Sequence, residues 1–417
     1  MFDLVIKNGV CFVDGDFKQC NIGIEGRKIA YVGKENISGE EEINGKGCAI
    51  LPGFFNAHTH SAMTILRGYA ESLPLKEWLE KIWKVEAKLG NEEIYWASKF
   101  SCIEMLKHGI TCFADMYIYM DEVARAVSET GIRAVLGYGM ADRGSEERRE
   151  KELKIALNFI ERWHGEERIT CTLTPHAIYT CSVEFLTEIA EVATSMGLIK
   201  HIHASETLWE VKEAIKRYGK TPVELLNSIG FLDDKTVLAH CVWLNESEIA
   251  ILAKNKVSVA HCPSSNLKLS SGIAKLSEMI EQGINVAVGT DGAASNNLLN
   301  MLSELRLAAL LQQLRRKFLK PSYYLVMGTE NGYRAFGING GVIREGMLAD
   351  LIVIEISMTH YPLYDLINSL LFSSRGCEVR DVIVNGKIVV EDRTAIFVDE
   401  EEVIEKFNAL SERLRFI

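Results

Sequence analysis

The sequence has little proline and no long apolar run. Among its 417 residues only seven are proline, and no segment approaches the roughly 18 uninterrupted apolar residues of a membrane-spanning helix. The opening residues, Met1-Phe2-Asp3-Leu4-Val5, lack the basic and apolar order of a signal peptide. We therefore expect a cytoplasmic protein that does not enter a membrane. Low-complexity linkers are also missing, so any second domain must be assembled from the chain ends.

Closely spaced cysteines and an excess of basic charge are missing too. The ten cysteines are scattered, and none forms the Cys-x-x-Cys pair of a zinc knuckle or a thioredoxin motif. The formal net charge is −11, whereas a general nucleic-acid binder usually leans basic. What the sequence does have is 47% hydrophobic and 25% charged residues, which is typical of a folded protein with room for more than one core.

Short β-rich runs broken by turn residues occupy both ends of the chain. The N-terminal runs cover residues 4–9, 21–26 and 29–33, and a similar pattern returns at 351–354 and 382–390. Asn8-Gly9 and Asn385-Gly386 are both typical of hairpin turns. We therefore expect the two ends to pair into one small β-domain.

The middle of the chain alternates apolar β-rich runs with amphipathic helical stretches. Such alternation is typical of βα units around a parallel sheet. The region from 55 to 345 is somewhat longer than the roughly 250 residues of an eight-stranded βα barrel, and a doubly wound sheet is the rival architecture. We predict eight strands, at residues 54–58, 110–115, 132–140, 169–174, 199–203, 236–240, 257–261 and 285–290.

The positions of polar residues favour the barrel. A barrel gathers the carboxyl ends of its strands into one site, whereas an open sheet spreads them along a crevice. Seven histidines and aspartates lie at or just past these predicted ends: His58, Asp115, His176, His203, His240, His261 and Asp291. We therefore predict an α/β protein with a (β/α)8 TIM-type barrel.

Some of these residues have the chemistry of a metal site. In His58-Thr59-His60 the two histidines are two residues apart, so they point to the same side of a strand. Each candidate alone would also suit an ordinary core or turn position. Together they are six ligand-capable residues at the ends of four strands: His58, His60, His203, Glu206, His240 and Asp291.

Three imidazoles and one carboxylate form the predicted metal site. His58, His60, His203 and Asp291 suit one divalent ion such as zinc, and iron, manganese or cobalt would also fit. A bound metal can lower the pKa of water from 15.7 toward about 7. Glu206, one turn beyond His203, is then placed to move a proton, and His240 can donate to a developing oxyanion.

Four motifs in this order resemble the amidohydrolase superfamily. They are Pro52-Gly53-Phe54-Phe55-Asn56-Ala57-His58-Thr59-His60, His203-Ala204-Ser205-Glu206, Leu238-Ala239-His240 and Gly289-Thr290-Asp291-Gly292. The resemblance implies a barrel at 55–345 flanked by a β-sandwich domain made from residues 1–54 and 346–417. Binuclear members carry a bridging lysine at the end of the fourth strand. Thr174-Pro175-His176 stands there in this sequence, which implies a single metal.

Further segments resemble the 5-methylthioadenosine/S-adenosylhomocysteine deaminases and their 5'-deoxyadenosine deaminase relatives. Among them are Met63-Thr64-Ile65-Leu66-Arg67-Gly68, Pro175-His176-Ala177-Ile178-Tyr179-Thr180 and Ser295-Asn296-Asn297. The resemblance implies that Glu86 holds the ribose hydroxyls, that His176 contacts the nucleoside and that Trp78 lines the pocket. Trp78 also fits the core face of an amphipathic helix.

The part of the pocket that would receive the 5' substituent is less defined. Relatives that bind a homocysteine group use arginines for its carboxylate. Arg148 or Arg149 could serve here, although a mixed-charge run is more often a solvated helix face. Tyr138 stands on the third strand, where the resemblance leads us to expect another arginine.

The resulting expectation is hydrolytic deamination of an adenosine-type nucleoside modified at the 5' position, giving the inosine analogue and ammonia. Glu206, His240 and Asp291 are the predicted catalytic residues. Trp78, Glu86, His176, Arg148 and Glu206 are the predicted substrate contacts. A guanine or cytosine deaminase, a chlorotriazine hydrolase and a catalytically silent barrel remain alternatives. The expected partner is a small nucleoside, and we expect a homo-oligomer.

Overall fold

The computed structural model describes residues 1–414. Residues 415–417, which belong to the predicted C-terminal part of the β-domain, lie outside the described residues. The chain opens with five strands: β1 (Phe2–Val13), β2 (Asp16–Glu25), β3 (Lys28–Gly33), β4 (Gly39–Asn44) and β5 (Cys48–Pro52). A two-residue Asp14-Gly15 turn joins β1 to β2, and both residues have positive φ, as a tight hairpin with the twist of its strands requires.

Nine strands follow in the middle of the chain. They are β6 (Phe54–Thr59), β7 (Ile110–Tyr117), β8 (Arg133–Met140), β9 (Ile169–Cys171), β10 (Thr174–Pro175), β11 (Lys200–Ala204), β12 (Thr236–His240), β13 (Ser258–His261) and β14 (Asn285–Val288). They occupy the eight predicted positions, because β9 and β10 are two halves of the predicted fourth strand and both pair with β8. The predicted bounds of β12 agree with the structure, and those of the other strands differ by at most two residues.

Helices separate these strands and complete the chain. Short 3₁₀ helices also occur at Ser61–Leu66 and Met358–His360. The helices are α1 (Leu75–Glu86), α2 (Asn91–Lys107), α3 (Met120–Thr130), α4 (Glu146–Trp163), α5 (Val183–Met196), α6 (Leu208–Tyr218), α7 (Pro222–Ser228), α8 (Glu246–Lys254), α9 (Pro263–Lys268), α10 (Leu276–Glu281), α11 (Ala293–Asn296), α12 (Met301–Leu314), α13 (Pro321–Met327), α14 (Glu330–Ala335), α15 (Leu366–Ser373) and α16 (Glu400–Leu414). Within residues 1–414, none combines the length and the apolar character that crossing a bilayer demands.

The parallel strands close into a barrel. One run pairs in the order β10-β8-β7-β6 and the other in the order β11-β12-β13-β14. Backbone hydrogen bonds join the runs on one side, where His201 N donates to Leu173 O (3.0 Å). On the other side Asp291 N, just past β14, donates to His58 O in β6 (2.9 Å). Because the last strand returns to the first, the (β/α)8 prediction is confirmed and the doubly wound alternative is wrong.

The two chain ends meet in one nine-stranded sheet. The C-terminal strands are β15 (Leu351–Glu355), β16 (Val379–Val384), β17 (Lys387–Glu391) and β18 (Thr394–Ala395). The sheet order is β18-β17-β16-β15-β5-β1-β2-β3, and β4 also pairs with β1. The predicted pairing of the two ends is therefore present. The domain boundaries at 54/55 and 345/346 stay predictions.

The two Asn-Gly pairs have different roles. Asn385-Gly386 forms the predicted hairpin turn between β16 and β17, with Val384 opposite Lys387. Asn8-Gly9 was expected to be a turn of the same kind, but it lies inside the long strand β1. Asn8 has a positive φ of 64°, and the register with β2 shifts there. A β-bulge, like a hairpin turn, needs a residue in the left-handed backbone conformation, and Asn-Gly supplies it in either place. The pair alone therefore could not distinguish a turn from a bulge, and the predicted turn at Asn8-Gly9 was wrong.

Aromatic side chains fill the barrel at the end opposite the polar residues. Phe55 on β6 stacks on Phe336 just after α14, with ring centroids 5.4 Å apart. Tyr333 on α14 donates to Asp350 (2.9 Å), which also pairs with Arg133 on β8 (2.8 Å). This buried ion pair lies just before β15 and ties the terminal sheet to the barrel. The polar residues are therefore left at the carboxyl ends of the strands.

Candidate active site

Three histidines converge at the carboxyl end of the barrel. His58 and His60 come from β6 and the residue after it, and His203 comes from β11. Each offers a ring nitrogen, and these three nitrogens lie within 4.8 Å of one another. Asp291 Oδ1 lies 3.3 Å from His60 Nε2 and 3.8 Å from His58 Nε2. Three of the four predicted ligands therefore cluster, and Asp291 lies beside two of them.

Hydrogen bonds on the outer side of each ring fix its orientation. Nδ1 of His60 donates to Met116 O (2.7 Å), and Nδ1 of His203 donates to His176 O (2.7 Å). Nε2 of His58 is buried and has no hydrogen-bond partner among residues 1–414. Metal-binding imidazoles in proteins usually donate their second nitrogen in this way. An unpartnered buried nitrogen aimed at two other imidazoles and a carboxylate fits a divalent cation.

Burial disfavours the charged forms of the His58 and His203 imidazoles. The pKa of His58 and that of His203 lie well below the usual value, because both rings are desolvated and face other histidines. Burial raises the pKa of Asp291, but His60, His240 and the hydrogen bonds from Ser265 and Gly292 together outweigh it, so that the pKa lies below its usual value. Neutral imidazoles and an ionised carboxylate are the forms that bind a metal.

The segment that carries Asp291 is shaped by very close packing. Asp291 itself has a φ of 59°, a strained value for a residue other than glycine. A methyl group on Gly289 would lie 2.6 Å from His58 N and 2.7 Å from His58 O, so only glycine fits against β6 there. Asn56 fixes Thr290, the residue between Gly289 and Asp291, through two hydrogen bonds. Its side chain accepts from Thr290 N (2.9 Å) and donates to Thr290 Oγ1 (2.7 Å).

Glu206 and His240 lie beside the four ligands. Glu206 Oε1 accepts from Ser271 Oγ (3.1 Å), and its Oε2 lies 3.8 Å from His240 Nε2. Nδ1 of His240 donates to Asn266 Oδ1 (2.8 Å), which leaves Nε2 directed at the site. Burial raises the pKa of Glu206. For His240 burial acts in the opposite direction, but Glu206 and Asp291 outweigh it and raise the pKa.

A second buried carboxylate holds the backbone of Glu206. Glu210, in the first turn of α6, accepts from Glu206 N (2.8 Å) and from Ser205 N (3.2 Å). Ser205 has a positive φ of 51°, so the chain turns sharply between His203 and α6. Burial raises the pKa of Glu210 to about 8. Glu210 is thus a positioning residue for the carboxylate of Glu206.

A cavity of about 320 Å³ opens above these groups. Apolar and aromatic side chains form much of its wall, together with a smaller number of polar ones, as is usual for small-molecule sites. The predicted site residues on its wall are His60, Trp78, Glu86, His176, His203, Glu206, His240 and Asp291. His58 lies beneath this wall, fully buried.

Glu86 lies on the wall as a prepared hydrogen-bond acceptor. Tyr117, at the end of β7, donates its hydroxyl to Glu86 Oε1 (2.6 Å). Burial raises the pKa of Glu86, although the bond from Tyr117 and the nearby His60 oppose this. The second carboxylate oxygen has no partner within the described residues. It can therefore accept from a ligand that enters the cavity.

Not every predicted substrate contact lies in this cavity. Arg148 is exposed on α4 and is not on the wall, whereas Arg143, which the sequence reasoning did not select, is. Trp78 is 4% exposed, so it lines the cavity while it packs in the core. His201 was also missed, and its Nε2 lies 3.2 Å from His58 Nδ1. Its position two residues before His203 on β11 puts it on the same strand face, a signal that the sequence contained.

A family model matches most of the chain. Residues 49–389 match the model of the amidohydrolase family. The chain belongs to the amidohydrolase family. This membership agrees with the barrel, the terminal β-domain and the resemblance found in the sequence.

Relatives of known name match over nearly the whole length. A "5-methylthioadenosine/S-adenosylhomocysteine deaminase 2" of Archaeoglobus fulgidus is 57% identical over 97% of this chain and 97% of its own. A "5'-deoxyadenosine deaminase" of Methanosarcina acetivorans is 44% identical over 99% of each chain.

Solved structures share the fold. A zinc-bound adenosine deaminase from Xanthomonas campestris superposes with a TM-score of 0.96 at 30% identity, covering 100% of this chain and 99% of its own. A zinc-bound atrazine chlorohydrolase from Arthrobacter aurescens has a TM-score of 0.92 at 26% identity, covering 98% of this chain and 100% of its own.

Proposed function

We propose that this protein is a metal-dependent hydrolytic deaminase of adenosine-type nucleosides modified at the 5' position. The observation that carries the proposal is the cluster of three histidines with Asp291 beside it, and with Glu206 and His240 nearby in one cavity. The names of the relatives, which are deaminases of such nucleosides, support the same substrate class. The products would be the inosine analogue and ammonia.

We infer that His58, His60, His203 and Asp291 hold a single divalent ion. Three imidazole nitrogens and one carboxylate oxygen suit zinc, and the zinc bound in two related structures supports that choice over iron, manganese or cobalt. When bound, such an ion lowers the pKa of a coordinated water and so supplies a hydroxide nucleophile near neutral pH.

Glu206 moves the proton in the proposed reaction. Its buried carboxylate, held by Ser271 at Oε1, can accept a proton from the attacking water and deliver it to a nitrogen of the adenine ring. Protonation of that nitrogen makes the neighbouring carbon, which bears the amino group, easier to attack. The same carboxylate can then assist the departure of ammonia.

His240 stabilises the oxygen that is added to the ring. Against the effect of burial, Glu206 and Asp291 raise its pKa, and in its protonated form the ring donates through Nε2. Asn266 accepts from the other nitrogen and keeps Nε2 pointed into the cavity. Asp291 carries negative charge beside this oxygen and takes part in moving the second proton.

The opposite wall would orient the nucleoside. Glu86 can accept from the two vicinal ribose hydroxyls, and Tyr117 fixes its carboxylate for that purpose. His176 and Trp78 add aromatic surface to the wall. A triazine or a free base has no ribose to bind there, so Glu86 favours a nucleoside over these alternatives.

A substrate panel tests the proposal. Metal-replete protein is incubated with 5'-methylthioadenosine, 5'-deoxyadenosine, adenosine, guanine, cytosine and a chlorotriazine, while ammonia and chloride are measured. We expect ammonia from the adenosine series with conversion to the inosine analogue. Chloride from the triazine without ammonia from any nucleoside would contradict the proposal. The cytoplasmic location and the homo-oligomer expected from the sequence stay predictions.

A further inference from the structure

The short helix α9 holds two of the site residues at once. Ser265, in its first turn, donates its hydroxyl to Asp291 Oδ2 (2.5 Å). The next residue, Asn266, accepts through Oδ1 from His240 Nδ1 (2.8 Å). Because neighbouring residues of one helix hold Asp291 and His240, the placement of α9 sets the position of both side chains in the site.

Glu304 holds the N-terminal end of α9. This buried glutamate lies in the first turn of α12 and is not on the wall of the active-site cavity. Its Oε2 accepts from Ser264 N (3.1 Å), and its Oε1 accepts from Ser264 Oγ (2.5 Å). Ser264 directly precedes Ser265, so the carboxylate fixes the turn of α9 that holds Asp291.

Glu304 also holds the loop that carries Asp291. Its Oε1 accepts a third hydrogen bond from the side-chain amide of Asn296 (2.9 Å), and the same amide nitrogen donates to Thr290 O (2.7 Å). Thr290 directly precedes Asp291, whose positive φ must be maintained by the surrounding structure. One carboxylate therefore restrains Asp291 along two routes, through α9 and through Asn296.

We propose that Glu304 is a positioning residue, which sets the placement of Asp291 and, through α9, of His240 without touching metal or substrate. The inference rests on the proposed deaminase function and adds to it a residue outside the cavity. In that function Asp291 helps to hold the ion, and His240 stabilises the added oxygen. Displacement of the pair should therefore weaken metal retention and lower kcat. KM for the nucleoside should stay unchanged, because Glu86 is held independently by Tyr117.

Glu304→Gln tests this role with little change of shape. In the wild type, Ser264 N, Ser264 Oγ and Asn296 Nδ2 all donate to the carboxylate. Whichever way the new amide turns, its NH2 group faces either the backbone N–H or the side-chain amide, so at least one hydrogen bond is lost. We expect bound metal to pass to an excess of chelator about tenfold faster and kcat to fall about tenfold, the lower end of the effect of losing an outer partner of a metal ligand.

Glu248→Gln is the matched control. Glu248 is also buried, and its Oε2 accepts from a backbone N–H, that of Asn245 before α8, but it lies outside the cavity. Its metal release and kcat should match those of the wild type. Metal release is followed without substrate, so this readout does not depend on which nucleoside is deaminated. Ser264→Ala removes one bond to Glu304 and should also speed metal release, and it serves as the test if Glu304→Gln does not fold.

A double-mutant cycle with Ser265→Ala separates positioning from a general loss of stability. Ser265→Ala removes the bond to Asp291 directly. Because Glu304 acts partly through that bond, the acceleration of metal release in the double variant should fall short of the product of the two single effects.

Three results would show that the inference is wrong while the deaminase proposal stands. They are unchanged metal release in Glu304→Gln, an equal change in Glu248→Gln, and single effects that simply multiply in the double variant. If Glu304→Gln releases metal faster but the wild type deaminates no nucleoside, the placement of Asp291 by Glu304 stands and the deaminase proposal falls. Wild-type protein that binds no metal would overturn both.

Discussion

Replacing Glu206 by glutamine isolates its role in proton transfer. The side chain is 3% exposed, and glutamine preserves both its shape and the oxygen that accepts from Ser271. What is lost is the ability to take up and release a proton. A positioned acid-base group contributes about 10² to 10⁴ in rate, which is about 3 to 5 kcal/mol in the activation free energy. We therefore expect kcat to fall by about that factor, with metal content unchanged.

The assay is ammonia release at saturating 5'-methylthioadenosine, with bound metal measured on the same samples. Glu248→Gln is a matched control, because Glu248 is equally buried but belongs to the N-terminal turn of α8, outside the cavity. Its kcat should stay close to that of the wild type. A Glu206→Gln variant whose kcat falls less than about fivefold, with metal bound, would refute the proton-transfer role.

Three further outcomes follow from the geometry. Gly289→Ala should lower the free energy of unfolding by about 1 to 3 kcal/mol and reduce the metal content, because the added methyl group collides with the His58 backbone. Thermal unfolding measures the loss of stability, and elemental analysis measures the metal content. Tyr117→Phe removes the bond to Glu86 and should raise KM for nucleosides by about tenfold while kcat changes little; an equal loss in kcat would contradict this. Burial raises the pKa of Glu206 above its ordinary value of 4.5, and the reaction needs this carboxylate ionised. We therefore expect kcat/KM to fall as the pH is lowered through this raised pKa, and the Glu206→Gln variant should lack this decrease.

The barrel could be predicted because local patterns and global fold agree. Each predicted strand is a short apolar run, and for seven of the eight a histidine or aspartate lies at or just past the end, where a closed barrel brings these residues to one site. The fourth strand was the least regular, since Pro175 cannot donate in a sheet ladder and the strand divides into β9 and β10. Asn8-Gly9 shows the limit of turn signals, since the same pair forms a bulge inside β1.

The proposed metal ligands could be selected from the sequence, but the residues that support them could not. Asn56, Ser265 and Asn266 act through one or two hydrogen bonds each between segments that are distant in the chain, and such pairings leave no periodic pattern. Whether Arg143 or Arg148 lines the cavity depends on the path of the segment that follows β8, which the sequence does not reveal. Both lie in a charged segment between β8 and α5, and only the path of the chain decides which one reaches the cavity.

The most direct test of the central claim is metal stoichiometry. The claim is that His58, His60, His203 and Asp291 together hold one ion on which deamination depends. Elemental analysis of purified wild-type protein should give about one divalent metal per chain, and His58→Ala or Asp291→Ala should lower both the metal content and ammonia release. Wild-type protein that deaminates 5'-methylthioadenosine at full rate after its metal has been removed by a chelator would contradict the claim.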